Sequence, residues 1–522
     1  MRRLALVAAA LVVPALPVLA AAPAYAATHV ICVGVPGGTC DESFLALKPA
    51  LLAANANGLD DLVRVAPGIY SDGPYFVGED GHALTLQGAG QSTDPFASTT
   101  ITLPTSASIN TYVNVDGATV QNLRVVMAGG ANSNDTALNL SDGAAADHVT
   151  IVGAGTVNSV GVHVTASTLT ASSVLMPRPA ASDTRAVYVE GGSTVSDSIL
   201  TGTRGLVQSA PGLSDVLSRV TIEADSFGII TDGGTVTVDD TVLDMGGAAN
   251  SAGIAALNGN DSTTPMTINA NHVTIVGSGS GSRGVWANAT SPGGKQTSAI
   301  TVSNSIIRGP ATSLVAEATN TVGPTSTATL NVSYTDYQTV SPSGAIGTNG
   351  AGGVALGAGN VVNVDPGFVN AAAGNYHLSA GSPVADKGNP GTSGPATDRD
   401  GAARVLDGDA VVGAVRDMGA YERPAVVRPV ATAPDTTAPE TTITTRPARR
   451  TTKKKVTLAF SSEAGATFQC RVDDKAWRTC TSPFRLRVRP GRHVVLVRAV
   501  DAAGNMDATP AKVRFKRVPT PR

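Results

Sequence analysis

The sequence predicts an all-β chain, a parallel β-helix solenoid followed by a small β-sandwich. Three observations carry that expectation. The 522 residues are low in charge (15%) and aromatics (4%) and rich in glycine, and their Ala, Ser, Thr and Val content suits stacked strands better than helices. Short apolar-alternating strands recur at nearly regular intervals through the middle of the chain. The phrase DHVTIVGAG (147–155) also returns as NHVTIVGSG (271–279), as expected of a unit written more than once.

With the first apolar residue of each strand as anchor, the series runs Leu123, Val149, Val174, Ile199, Val220, Val242, Val273 and Ile306. Steps of 21 to 33 residues, without long amphipathic helical patterns between them, suit coils of stacked parallel strands. Two residues before each anchor stand Gln121, Asp147, Ser172, Asp197, Ser218, Asp240, Asn271 and Asn304. Such short polar side chains suit a turn that stacks into a ladder and satisfies neighbouring backbone groups. Variable steps point to one insertion-tolerant corner, as at 258–265 and 290–295. Coils are expected over about 63–345.

The chain opens with Arg2, Arg3, an apolar run and Ala24-Tyr25-Ala26, the pattern of a secretory signal peptide over 1–26. Prolines break the run and no comparable stretch follows, so a transmembrane segment is not expected. An exported protein, secreted or associated with the cell wall, admits disulfides. Cys32 with Cys40 and Cys470 with Cys480 are local even pairs, and neither has zinc-site spacing. Ser43 to Ala54 reads as one amphipathic helix, N-capped by Asp41 or Ser43 and covering the open end of the stack.

Further along, APG-x-Y at 66–70, the V-x-N-x-I coils and the segment 361–422 with YHL-x-x-GSP, D-x-DG-x-x-R and D-x-GAYE resemble the right-handed parallel β-helix proteins of the pectin lyase-like superfamily. The resemblance spans about 29–422. It implies the fold and leaves the activity open, because this architecture hosts lyases, hydrolases, adhesins and inert scaffolds. A Pro- and Thr-rich linker (423–440) follows. The remainder, 441–518, resembles the immunoglobulin-like modules of bacterial surface proteins. Its strands KVTLAFS, TFQCRV, FRLRV and HVVLVRAV alternate as a β-sandwich requires, and Cys470 with Cys480 brackets the first turn as a hairpin staple.

No residues are assigned to catalysis or to a metal. Asp147, Asp197 and Asp240 lie two coils apart, about 10 Å at ~4.8 Å per strand, while calcium ligands approach one ion to roughly 2.5 Å. His148 and His272 lie five coils apart, about 24 Å, and strand parity points both outward. His163 reads as a surface or groove residue, and Arg283 and Lys295 are the basic residues to consider as lyase bases. Asp398-Arg399-Asp400-Gly401 and Asp407-Gly408-Asp409 look like calcium-loop ligands, but the twelfth position is Asp409 and not glutamate. The preferred reading is structural: Arg404 pairs with Asp398, Asp417 or Glu422 to close the last coil, with Asp400 in the same motif. No cofactor is expected, and calcium at this segment is the alternative.

Charge is divided unevenly. Residues 441–522 carry 19 Lys and Arg against 5 Asp and Glu, a balance of +14, and the rest of the chain carries −17. Arg449, Arg450, Lys453, Lys454, Lys455, Arg485, Arg487 and Arg489 form the candidate binding patch. The alternating arginines of FRLRVR share a strand face, which suits an extended polyanion such as an anionic cell-wall polymer or acidic polysaccharide. Export and the absence of a base-stacking aromatic series argue against nucleic acid. The function expected is non-catalytic binding of carbohydrate or other cell-surface partners. A polysaccharide lyase or glycoside hydrolase is the first alternative, and a purely structural surface protein the second.

Overall fold

The computed structural model describes residues 29–520 apart from 35–38, 79–80, 95–96, 103–110, 128–133, 154–157, 179–182, 210, 258–263, 292–293, 321–324, 342–343, 346–348, 392–393, 407–413 and 425–434. The signal-peptide segment, Asp407, Asp409 and most of the linker lie outside the described residues. The chain divides into two compact units, Met1–Val426 and Val427–Arg522.

In the first unit every coil contributes to three parallel sheets. The first sheet begins with His29–Val33, Asp61–Val65 and Leu84–Gln87. The second begins with Gly68–Tyr70 and Thr99–Thr102. The third begins with Tyr75–Val77 and Thr111–Asp116. Successive coils repeat this order, and pairing continues to Gly350–Leu356 and Val361–Val362. The stack is therefore longer than the 63–345 expected from the anchors. One inward column of the third sheet reads Leu138, Val162, Val187, Leu206, Ile229, Ile254, Val285 and Leu314 in register. All eight are fully buried, and each such side chain contributes about 1.5–3 kcal/mol of apolar transfer. The long coils hold their extra residues between the third and first sheets, as between Leu257 and Met266.

The corner between the first and second sheets is a single left-handed residue per coil. In register these are Asn122, His148, Ala171, Asp197, Arg219, Asp240, His272, Asn304 and Tyr334, with φ between 47° and 54°. Asn, Asp and His tolerate this region better than β-branched residues do. The polar ladder expected from sequence is thus shifted by one residue in several coils. Gln121, Asp147, Ser218 and Asn271 precede the corner, Ser172 follows it, and Asp197, Asp240 and Asn304 occupy it. Stacked hydroxyls follow the corner: Ser172 Oγ accepts from Val149 N (3.0 Å) and Ser305 Oγ from Val273 N (3.0 Å).

At the amino end, Leu47–Ala54 forms a helix that buries Leu47, Ala50, Leu51 and Ala54 against the first coil. It starts later than expected and Ala46 stands at the N-cap. Glu42–Phe44 instead pairs with His29–Val33 as a strand, beside the Cys32–Cys40 disulfide. Asp72 supplies the missing cap from a distance, its carboxylate accepting from Lys48 N (2.9 Å).

At the carboxyl end the expectation fails in an informative way. The described residues between 365 and 424 do not close the last coil but run back as a strap along the left-handed corner. Asn389 N donates to Asn304 Oδ1 (2.7 Å), Ala420 N to Thr274 Oγ1 (2.9 Å) and Arg399 Nε to Thr221 Oγ1 (3.1 Å). From the Asn304 corner to the Arg219 corner is three coil steps, about 14 Å.

The second unit holds two small antiparallel-based sheets. Thr442–Thr445, Lys455–Ser461 and Phe484–Arg487 form one, and Arg450–Thr451, Ala511–Arg517, Gly491–Val500, Thr467–Val472 and Arg478–Cys480 the other. Leu458, Val495 and Val497 are fully buried at its core, and the Cys470–Cys480 disulfide staples the hairpin of Thr467–Val472 with Arg478–Cys480.

Candidate functional site

The outward face of the third sheet carries an aromatic and arginine row. Tyr188, Val207, Ile230, Ala255 and Trp286 occupy successive coils in one column, so the two rings at its ends lie about 19 Å apart along the stack. A parallel column holds Arg185, Arg204, Phe227, Ala252 and Arg283. Each ring has a guanidinium over it: Arg185 over Tyr188 (5.6 Å), Arg204 over Phe227 (5.7 Å) and Arg283 over Trp286 (4.1 Å). Asp183 bridges Arg204 (2.8 Å) and Arg185 (3.5 Å), and Trp286 Nε1 donates to Glu317 (3.1 Å). His163 joins this face, edge-on to Tyr188 at 5.2 Å and 3.3 Å from Glu190. Burial raises the Asp232 carboxyl above its usual range, opposed by Ser209.

Of this face the sequence singled out Arg283 and His163 and missed the rest. The phrase Arg-x-Val-aromatic at 185–188 and again at 283–286 was the available signal. Coil lengths differ, so the spacing in sequence hides that the two phrases share a column. Lys295 is exposed between the third and first sheets.

The acidic residues of the polar ladder meet different fates. Asp147 makes a local contact with His148 (2.8 Å), and Asp197 holds Arg219 of the next coil through two hydrogen bonds (2.6 and 2.7 Å). Asp240 lies beneath the strap and takes Arg404 Nε at 2.9 Å. Arg404 also reaches Glu422 (3.3 Å) and the Ala420 carbonyl (2.9 Å), so its partners are Asp240 and Glu422 and not Asp398 or Asp417. Those two carboxylates serve the strap's own backbone. Asp398 accepts from the N–H groups of Asp400, Ala402 and Glu422, and Asp417 from those of Asp386 and Arg423. Asp400 instead contacts His377 (2.6 Å).

His272 corrects the parity argument. Its position is the corner itself, and the strap buries it completely. Neither ring nitrogen has a partner among the described residues, and burial, with Arg404 and Arg416 nearby, pushes its pKa down to about 2. Burial pushes the Asp417 carboxyl the other way, up to about 7, with Glu422 adding to the rise.

In the second unit the cations divide between two surfaces. Lys455 pairs in register with Arg487, and Thr457 with Arg485, so the three charges share the exposed face of the smaller sheet. Lys453, Lys454 and Arg489 are exposed beside it. Arg450 pairs in register with Lys516 on the larger sheet. There a groove of about 1050 Å³ is lined by Arg446, Arg449, Arg492, Lys512, Arg514 and Lys516. Lys512, Arg514 and Lys516 went unnoticed because Ala511–Arg517 was not read as a strand.

No family model and no curated protein matches the chain. Among solved structures it is similar to pectate lyase Pel9A, with 13% identity over 76% of this chain and 97% of that one and a TM-score of 0.36. It is also similar to the catalytic unit of the thermostable GH87 alpha-1,3-glucanase from Streptomyces thermodiastaticus strain HF3-3, with 14% identity, 61% and 68% coverage and a TM-score of 0.34. A third is bacteriophage CBA120 tailspike protein 3, with 10% identity, 63% and 61% coverage and a TM-score of 0.20. At these values no activity is taken from the likeness, and the parallel β-helix rests on the strand register of this chain.

Proposed function

We propose that this is a secreted or cell-wall-associated, non-catalytic protein that binds carbohydrate along the third sheet. The observation that carries the reading is the row of Tyr188, Phe227 and Trp286, each beneath an arginine. The rings hold the guanidinium forks in place to hydrogen-bond hydroxyls and carboxylates, and the ring edges left open add apolar contact. A solenoid repeats such groups along an extended surface, which suits a polymer. The second unit, an immunoglobulin-like module in this proposal, adds retention through its cationic surfaces, whose partner is an anionic wall polymer or acidic polysaccharide.

Pull-down on isolated cell walls tests both parts. Deleting 441–522 should abolish most binding at low salt, and Trp286→Ala should weaken binding of the remaining unit to soluble polysaccharide by about tenfold, the scale of one lost aromatic contact. Salt-insensitive wall binding that survives the deletion would falsify the retention role.

A second reading, a polysaccharide lyase or hydrolase, has one observation in its favour. Asp232, with its raised carboxyl pKa, shares the third-sheet face with Glu190 two coils away, about 10 Å along the axis. Release of reducing or unsaturated sugars from acidic glycans, lost in Asp232→Asn, would establish it in place of the binding-only reading.

A further inference from the structure

The strap does more than cover the corner, because it also walls a groove on the second sheet. The floor is the outward column Asp244, Val276 and Arg308, in register on consecutive coils, with Gln338 beyond. The wall is the strap's antiparallel pair Phe368–Asn370 and Asn375–Leu378, which contributes Phe368 and Tyr376, and Asp365 stands just before it. The open groove has a volume of about 680 Å³, within the range of small-molecule sites. Part of the floor is bare backbone. Gly309 has φ +94°, and a Cβ there would meet the Gly277 carbonyl oxygen, so no side chain can fill this end.

Polar groups converge on the groove with capacity left over. Tyr376 donates its hydroxyl to Asp244 Oδ2 (2.6 Å), which leaves Oδ1 without a partner among the described residues. Asp365 uses Oδ1 for Gly367 N (2.9 Å) and likewise keeps Oδ2. Arg308 gives Nε (2.8 Å) and Nη2 to Asp336, and Nη1 has no partner among the described residues. Gln338 accepts from Gly309 N through Oε1 (2.7 Å), and its amide nitrogen has no partner among the described residues. Phe368 and Tyr376, edge to face at 5.3 Å, supply an aromatic wall.

The charge balance selects the ligand. Arg308 is already neutralised by the fully buried Asp336, so Asp244 and Asp365 give the groove a net negative character. A ligand carrying carboxylates would be repelled, whereas vicinal hydroxyls pair with carboxylate acceptors and amide or guanidinium donors together. We propose that this groove is a binding site for a short oligosaccharide, one to three sugars long, that carries no carboxylate. It uses none of the third-sheet residues and has the opposite charge preference to the cationic second unit, so it stands whether or not the polymer-binding reading holds.

Titration calorimetry of the full chain tests the site. The probes are neutral mono- to trisaccharides of glucose, galactose, mannose and N-acetylglucosamine, with di- and trigalacturonate as the acidic comparison. At least one neutral probe is expected to bind, and in the component of binding that Gly247→Leu removes galacturonates should be at least tenfold weaker. Gly247→Leu fills the groove: a Cβ there meets only Ser278 Oγ at 3.6 Å, and affinity should fall tenfold or more. Asp365→Asn keeps the acceptor for Gly367 N and should also weaken binding, which preserves the test if the first variant fails to fold. Absence of binding by every neutral probe at millimolar concentration overturns the proposal. So does a preference for galacturonate in the component that Gly247→Leu removes, or affinity lost in Trp286→Ala but kept in Gly247→Leu and Asp365→Asn.

Discussion

His148 and His272 stand in nearly the same nine-letter phrase, at the same corner and with the same φ of 52°. Yet the His148 side chain is 56% exposed and contacts Asp147, while His272 is wholly buried and has no hydrogen-bond partner among the described residues. The same holds for their acidic neighbours in the ladder: Asp197 pairs with Arg219 near solvent, and Asp240 pairs with Arg404 in the buried interior. In a solenoid the local phrase sets the backbone, and the returning chain sets the environment.

The largest expected break in this comparison is between its two ion pairs. Arg404→Ala strands Asp240 and Glu422 beneath the strap and should cost about 3–5 kcal/mol, as removal of one partner of a buried pair does. Arg219→Ala should cost less than about 1 kcal/mol, because Asp197 turns to water. Chemical denaturation of both variants checks this, and equal losses would show that the strap does not exclude solvent.

The next effect is in pH. The folded His272 stays neutral to about pH 2, whereas the unfolded ring takes a proton below about 6.5. Stability should therefore fall on acidification below about pH 6.5, by up to about 1.4 kcal/mol per pH unit from this residue. Asp417 has the opposite sign. Its raised carboxyl favours folding below the ordinary unfolded value of 3.8, and that contribution is lost as pH rises through about 7. The comparison of each variant with the parent protein isolates the histidine: His272→Asn should flatten the slope between pH 6.5 and 4, and His148→Asn should leave it unchanged. The smallest effect concerns the corner itself. His148→Asn keeps a residue tolerant of the left-handed region and should alter stability by no more than about 0.5 kcal/mol, whereas His148→Val should cost about 1–2 kcal/mol. Thermal melts distinguish these cases.

The solenoid and its approximate period were legible because inward apolar residues must recur once per strand. The corner could be placed only to within a residue. Polar residues flank it on the amino side in Asp147-His148, Asp239-Asp240, Asn271-His272 and Ser303-Asn304, and nothing in the letters says which takes the positive φ. The disulfides were legible from their short spacing. The strap was not, because Arg404 and Asp240 are 164 residues apart and no periodicity links them. The third-sheet row was hidden for a related reason: unequal coil lengths scramble the sequence interval between Tyr188, Phe227 and Trp286.

The strap also bears on how this molecule can change over generations. A solenoid grows or shrinks by whole turns, since each rung needs only its two neighbours. Turns before Thr221 obey that rule, and one could be duplicated or lost there with little disturbance elsewhere. Between Thr221 and Asn304 the strap bonds to residues on successive turns at fixed intervals, so an added or missing turn would pull Arg404 from Asp240 or Asn389 from Asn304. Length variation among descendants of this chain should therefore gather in its amino-terminal half, and the carboxyl-terminal half should keep its turn count.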